Sequence, residues 1–134
     1  RLLVTIAKRL RAVCRSSDTV ARVSGDEFAI ILEDVAGPAE MEDVAQRIID
    51  ALAEPIVMDE GTARTGTSAG LVLSPGVSRA GMRTVENMIR DADAAMYAAK
   101  EAGRGRYAWF TPEMREKPRE RPTFVRAINR LLNR

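Results

Sequence analysis

Histidine is absent from the chain. That excludes Ser-His-Asp and Cys-His hydrolysis, His-ligated zinc and every imidazole proton shuttle. Acid–base or metal chemistry must therefore rest on carboxylates, lysine, arginine or the groups of a bound nucleotide. Cysteine occurs once, at Cys14, so no internal disulfide forms and a reducing compartment is the simple expectation. Aromatic residues make up only 4%, too few for a sheet that stacks nucleobases, and an RNA-binding α/β sheet is disfavoured on that ground. No uncharged apolar run approaches the length of about 18 residues that a membrane span needs, and no signal-peptide pattern opens the chain. What is present is the composition of one globular domain: 134 residues, 46% hydrophobic and 30% charged.

The net charge of +2 is unevenly spread. Residues 111–134 hold seven Lys/Arg against three Asp/Glu, and the other 110 residues hold 14 against 16. The body is mildly acidic, and the basic character belongs to the tail. Pro112, Pro118 and Pro122 also fall there, marking 111–122 as a linker.

Hydrophobic periodicity lays out the elements. Leu3, Ile6, Leu10 and Val13 form one stripe of a first helix. Arg1 and Leu2 already sit inside its pattern without a capping residue, so the chain is expected to open partway through an element. Residues 19–23 and 28–33 read as strands around a four-residue turn, Ser24-Gly25-Asp26-Glu27. The second of these strands is apolar on both faces, which predicts an interior strand. Gly37-Pro38 breaks the chain before a helix with Met41, Val44, Ala45, Ile48, Ile49 and Leu52 inward. Residues 56–58 and 62–73 read as a hairpin around Asp59-Glu60-Gly61, the second arm long. A helix from Thr84 to Ala102 buries Val85, Met88, Ile89, Ala92, Ala95, Met96 and Ala99, with Gly103 placed to end it. Residues 106–110 make a last strand, and 123–134 hold an amphipathic helix carrying Phe124, Val125, Ile128 and Leu131. This order predicts an α/β (α+β) sandwich: a central, mostly antiparallel sheet flanked by helices. The methionines 41, 88 and 96 read as core fillers, and Cys14 as packed rather than reactive.

Three groups of residues carry candidate chemistry. Asp26 and Glu27 are adjacent carboxylates behind a glycine on a tight turn, hard oxygen ligands suited to Mg²⁺, though such pairs also occur as solvated turn residues. Lys100 and Arg104 are four apart, on one face if the helix persists that far. They fit phosphate binding, or simply the negative end of a helix dipole. Arg15-Ser16-Ser17-Asp18 offers a guanidinium fork and a carboxylate, or a surface ion pair at a helix end.

Val23-Ser24-Gly25-Asp26-Glu27-Phe28-Ala29-Ile30 resembles the signature of GGDEF domains, the diguanylate cyclases, with serine in place of the first glycine. Thr67-Ser68-Ala69-Gly70 is similar to that family's Ser-x-Gly strand motif. Ala92-Asp93-Ala94-Ala95-Met96-Tyr97-Ala98-Ala99-Lys100, followed by Gly103-Arg104, is similar to its Ala-Asp-x-Ala-Met-Tyr-x-Ala-Lys…Gly-Arg helix. The resemblance covers residues 1 to 110, and three motifs in family order are far more specific than one.

The resemblance implies a nucleotide-cyclase, palm-like fold and condensation of two GTP into cyclic di-GMP with release of pyrophosphate. Two domains face one another, each holding one GTP. It implies that Asp26 and Glu27 are catalytic and hold Mg²⁺ or Mn²⁺, because triphosphate charge must be neutralised and a hydroxyl activated. Gly25, Lys100 and Arg104 would bind nucleotide. Arg15 and Asp18 match the family's Arg-x-x-Asp inhibitory site for product, with residues 19 to 23 between Asp18 and Ser24.

Two departures bear on this. Serine at position 24 costs on the order of 1 kcal/mol if the position needs φ > 0. The family's first strand, with a further metal-binding aspartate and a guanine-recognising asparagine, has no match here, so the domain reads as N-terminally truncated. The 134 residues alone are expected to be inactive, and marginally folded or self-associated. The tail resembles weakly the linker and opening helix that lead into an EAL phosphodiesterase domain; it reads equally as an amphipathic helix on its own domain. A cytoplasmic signalling enzyme is the leading expectation. The alternative is a degenerate GGDEF module that binds GTP or cyclic di-GMP and regulates an attached phosphodiesterase.

Overall fold

The computed structural model describes residues 2–64, 66–73 and 85–116. Helix α1 (Leu2–Val13) buries Ile6 and Leu10, two positions of its apolar stripe. Strands β1 (Thr19–Ser24) and β2 (Glu27–Ile31) pair antiparallel, from Thr19 opposite Ile31 to Ser24 opposite Glu27, with a bulge between Arg22 and Ser24. Helix α2 (Pro38–Ala53) starts where Pro38 fills the first turn, a position that needs no amide proton. The Glu40 carboxylate accepts the Ala36 backbone N–H at 2.8 Å, closing that end.

Helix α2 joins two cores. Its Val44, Ile48 and Leu52 meet Ile6 and Leu10 of α1 and Ile56 of β3 (Ile56–Met58), with Val20, Phe28 and Ile30 packed alongside. Its Met41 and Ala45 meet Leu71 of β5 (Ser68–Leu71), with Tyr107 and Trp109 of β6 (Arg106–Trp109) against them. The Trp109 indole N–H donates to Glu42 Oε2 at 2.6 Å, tying β6 to α2. Arg9 reaches from α1 to the far end of α2 and donates to the carbonyls of Ala51, Glu54 and Pro55 at 3.0, 2.6 and 3.0 Å.

Strands β5 and β6 pair parallel, Ser68 with Arg106 through Leu71 with Trp109. Parallel neighbours need a crossover. Helix α3 (Val85–Glu101) lies in that crossover and packs on both strands. Ala95 and Ala99 are fully buried on it, and Gly70 lies beneath it. A methyl at Gly70 would collide with the Ala92 carbonyl oxygen and the Met96 amide nitrogen.

The α/β architecture with helical cover is present, with differences in the sheet. Among the described residues the strands form three two-stranded ladders, two antiparallel and one parallel. The long arm expected over 62–73 is divided between two partners: β4 (Gly61–Ala63) pairs with β3, whereas β5 pairs with β6. A hairpin with the two-residue loop Asp59-Glu60 closes only three pairs, and Gly66 in the break adds no strand propensity. The apolar pattern of β2 predicts a strand inside a sheet, yet among the described residues it pairs with β1 alone, its Phe28–Ile30 are half-buried, and Ile31 is 41% exposed. Residues 112–116, expected as linker, form a short 3₁₀ helix (Pro112–Glu116). The rest of the linker and the helix expected over 123–134 lie outside the described residues. Of the methionines, Met41 is buried while Met88 and Met96 are half-buried.

Candidate functional site

The β1–β2 hairpin turns on two residues, Gly25 and Asp26, not four, because Ser24 and Glu27 still pair. Gly25 takes φ 51°, a left-handed conformation that glycine enters without steric cost. Its side-chain direction opens into free space, so backbone geometry rather than crowding requires glycine there. The Arg22 Nε–H donates to the Gly25 carbonyl at 2.7 Å and fixes the tip. Ser24 ends the strand without a positive φ, so the strain that serine would suffer there does not arise. Asp26 is exposed at the tip, and Glu27 beside it is half-buried. Both offer hard oxygen donors. Among the described residues no group of three or more His, Cys, Asp or Glu forms a metal cluster. The pair nonetheless fits Mg²⁺, an ion that commonly takes one or two protein carboxylates and fills its shell with water and phosphate.

Lys100 and Arg104 are not successive positions of one helix face. Helix α3 ends at Glu101, and the chain reverses through Gly103. The Arg104 N–H donates to the Ala99 carbonyl at 3.1 Å, and the Gly103 N–H to the Lys100 carbonyl at 3.2 Å. These two bonds make a Schellman closure, with Gly103 at φ 129° and Arg104 itself at φ 61°. Lys100 is half-buried in the last turn; Arg104 is exposed beyond it, its Cβ 3.9 Å from where a methyl on Gly66 would lie. Their relation is set by the cap.

Arg15 and Asp18 do come together. Asp18 is 5% exposed, and both carboxylate oxygens accept backbone N–H groups: Oδ2 from Arg15 at 2.8 Å and Oδ1 from Glu33 at 3.2 Å. The carboxylate brackets the end of α1 to the end of β2. The ion pair expected as the alternative is present, with Arg15 Nε 3.9 Å from Asp18 Oδ2, but only its Arg15 side is exposed and the Asp18 side is enclosed. The Arg15 side chain is 54% exposed; its Nη2 donates to the Glu33 carbonyl at 2.6 Å and lies 3.9 Å from Glu40 Oε2. Nothing in the sequence singles out Glu40; an acid three residues after Gly37 marks a helix start and gives no hint of a neighbour across the loop. Cys14 is half-buried next to this bracket, where burial first, and the Asp18 charge second, push its thiol pKa up.

The Thr67-Ser68-Ala69-Gly70 motif supplies close packing: Gly70 admits the α3 backbone, and among the described residues the buried Ser68 Oγ has no hydrogen-bond partner. Asp93 lies half-buried on α3.

The family described as "Diguanylate cyclase, GGDEF domain" matches residues 1–106. The chain belongs to the GGDEF family. This GGDEF domain is 32% identical over 133 residues to the bifunctional diguanylate cyclase/cyclic di-GMP phosphodiesterase MucR of Pseudomonas aeruginosa, covering 99% of the chain and 19% of that protein. It is 34% identical over 117 residues to the cyclic di-GMP phosphodiesterase PdeR of Escherichia coli, covering 87% of the chain and 17% of that protein. The crystal structure of the GGDEF domain of YfiN (TpbB) from Pseudomonas aeruginosa superposes with a TM-score of 0.74 at 38% identity, over 82% of this chain and 66% of that one. The GGDEF domain thus spans less than a fifth of either full-length relative. No helix among the described residues is long and apolar enough to cross a membrane.

Proposed function

We propose that this GGDEF domain, within its full-length protein, condenses two GTP molecules into cyclic di-GMP, acting opposite a second GGDEF domain. The observation that carries the reading is the turn at Gly25, whose positive φ sets Asp26 out in solvent with Glu27 alongside. In the reaction each 3′-oxygen attacks the partner nucleotide's α-phosphorus as its proton departs, and pyrophosphate leaves. Asp26 and Glu27 would hold Mg²⁺ or Mn²⁺, which supplies charge neutralisation for the triphosphate and lowers the pKa of the attacking hydroxyl. The open backbone at Gly25 lets a nucleotide approach the turn. Lys100 and Arg104 supply cations for phosphate at the end of α3.

Arg15 serves as the anion-binding element of a product feedback site. Its exposed guanidinium is available to a phosphodiester, whereas Asp18 is enclosed and acts by positioning Arg15 and the end of β2.

A second reading has support in the relatives' names: a non-catalytic module that binds GTP or cyclic di-GMP and regulates an attached EAL phosphodiesterase. PdeR is named for phosphodiesterase activity alone. Ser24 gives that reading less weight than its sequence suggests, since the residue carries no left-handed strain. The test incubates the full-length protein with GTP and Mg²⁺ beside its Glu27→Ala variant and measures cyclic di-GMP. Product from the parent and none from the variant supports catalysis. Equal yields remove the carboxylate assignment, and no product from either protein favours the regulatory module.

A further inference from the structure

We propose that Glu40 is a built-in competitor for Arg15 and sets how tightly the Arg15 site takes a phosphodiester ligand such as the cyclic dinucleotide. The inference rests on the reading of Arg15 as the anion-binding element. Arginine grips phosphate best with two adjacent N–H groups used together. Here Nη2 is already committed, donating to the Glu33 carbonyl at 2.6 Å with Glu40 Oε2 at 3.9 Å. Among the described residues Nη1 has no hydrogen bond, so one arm of the fork is open and the other is latched. The latch is held in place. Glu40 sits in the first turn of α2, and its Oε1 accepts the Ala36 N–H at 2.8 Å, which fixes the carboxylate and leaves Oε2 toward the guanidinium.

A dianionic ligand arriving at Arg15 must pull Nη2 from this latch and lie close to the Glu40 charge. Both effects weaken binding; the hydrogen bond to the Glu33 carbonyl is a main-chain contact that every variant keeps, and the charge effect passes through the Glu40 side chain. An exposed pair of this kind carries little stability, so it is a fine adjustment that leaves the fold alone. It positions the ligand threshold rather than creating the site.

Isothermal titration of cyclic di-GMP into the full-length protein tests this. Gln in Glu40→Gln keeps a carbonyl for the Ala36 N–H and removes the charge. At low ionic strength it is expected to tighten binding by about two- to fivefold, the gain shrinking toward nil at about 0.5 M salt. Arg15→Ala is expected to lose binding, and adding Glu40→Gln to it to change nothing. Asp43→Asn, which removes an equal charge from α2 at a residue paired with Arg47, is expected to match the parent; thermal melting of each variant confirms an intact fold. If Arg15→Ala abolishes binding while Glu40→Gln binds no tighter than the parent, Glu40 is not a competitor although the site stands. Glu40 is likewise ruled out as a competitor if Asp43→Asn tightens binding equally, for then only net charge matters. If Arg15→Ala binds as the parent does, the feedback site itself is elsewhere, and the Glu40 inference goes with it.

Discussion

Gly70 and Ala92 meet backbone to backbone: β5 approaches α3 so closely that a side chain at Gly70 would overlap the Ala92 carbonyl oxygen and the amide nitrogen of Met96. Neither obstacle can swing aside, since both belong to a helix with Ala95 and Ala99 fully buried on the adjoining turns. Gly70→Ala is therefore expected to cost about 3 kcal/mol, at the upper end for an overpacked core. Gly25 makes the contrast: the space around it is empty, and only its φ of 51° opposes a side chain. Gly25→Ala is expected to cost about 1 kcal/mol. Urea midpoints at constant m-value measure both, and equal losses would contradict the packing account.

The same pair shows what the sequence could convey. Helix positions were legible because Ile6, Leu10, Val44, Ile48 and Leu52 repeat with helical period, and a stripe must face a core. Gly103 announced the end of α3. The strand pairing was not legible. Gly66 is the one weak point for extended backbone at the middle of residues 62–73, and it does not say which strand either half will pair with. A turn between β1 and β2 was readable, though not its two-residue length, and the enclosure of Asp18 was not, since its two donors are backbone amides at positions 15 and 33. Glu40 beside Arg15 is hidden for the same reason: the contact crosses a loop and leaves no periodic trace.

Arg9 offers a second test of stability. The last turn of α2 contains no basic residue of its own, so the negative end of its dipole lacks a local cation. Arg9 supplies one from α1, through three carbonyl contacts. Arg9→Ala is expected to lose about 2 kcal/mol. Arg9→Lys keeps the charge but not the fork and is expected to recover only part of that. Amide exchange at the contact between α1 and α2 is expected to speed up in step with the loss.

Cys14 is expected to react slowly. Burial, and then the Asp18 charge, raise its thiol pKa, so the thiolate fraction at neutral pH falls below that of a free cysteine. The fold prefers the protonated thiol, so this contribution to stability is complete below the ordinary thiol pKa and is lost as pH climbs through the raised value. Alkylation rates measured against pH are expected to rise later than for a cysteine peptide. Asp18→Asn is expected to move the profile back only in part, because burial remains. A profile matching the free thiol would overturn this picture.

Asp26 allows activity and stability to be separated. It is exposed at the tip of a two-residue turn held by Gly25 and the Arg22 contact, neither of which involves its side chain. Removing the carboxylate is expected to change folding stability by no more than about 0.5 kcal/mol. If Asp26 holds the metal in the proposed reaction, Asp26→Ala loses several kcal/mol of transition-state charge stabilisation, so turnover falls by about a hundredfold or more. The milder Asp26→Asn, which keeps one oxygen donor, is expected to retain some activity and to need more Mg²⁺ for half-maximal rate. Chelating the metal is expected to stop the parent protein and to leave its melting temperature nearly unchanged, because the hairpin is closed by Ser24–Glu27 pairing rather than by an ion. Initial rates across a Mg²⁺ titration, run beside melting curves for the three proteins, provide the comparison. An Asp26→Ala protein that melts normally and turns over at the parent rate would dissociate the turn from the chemistry.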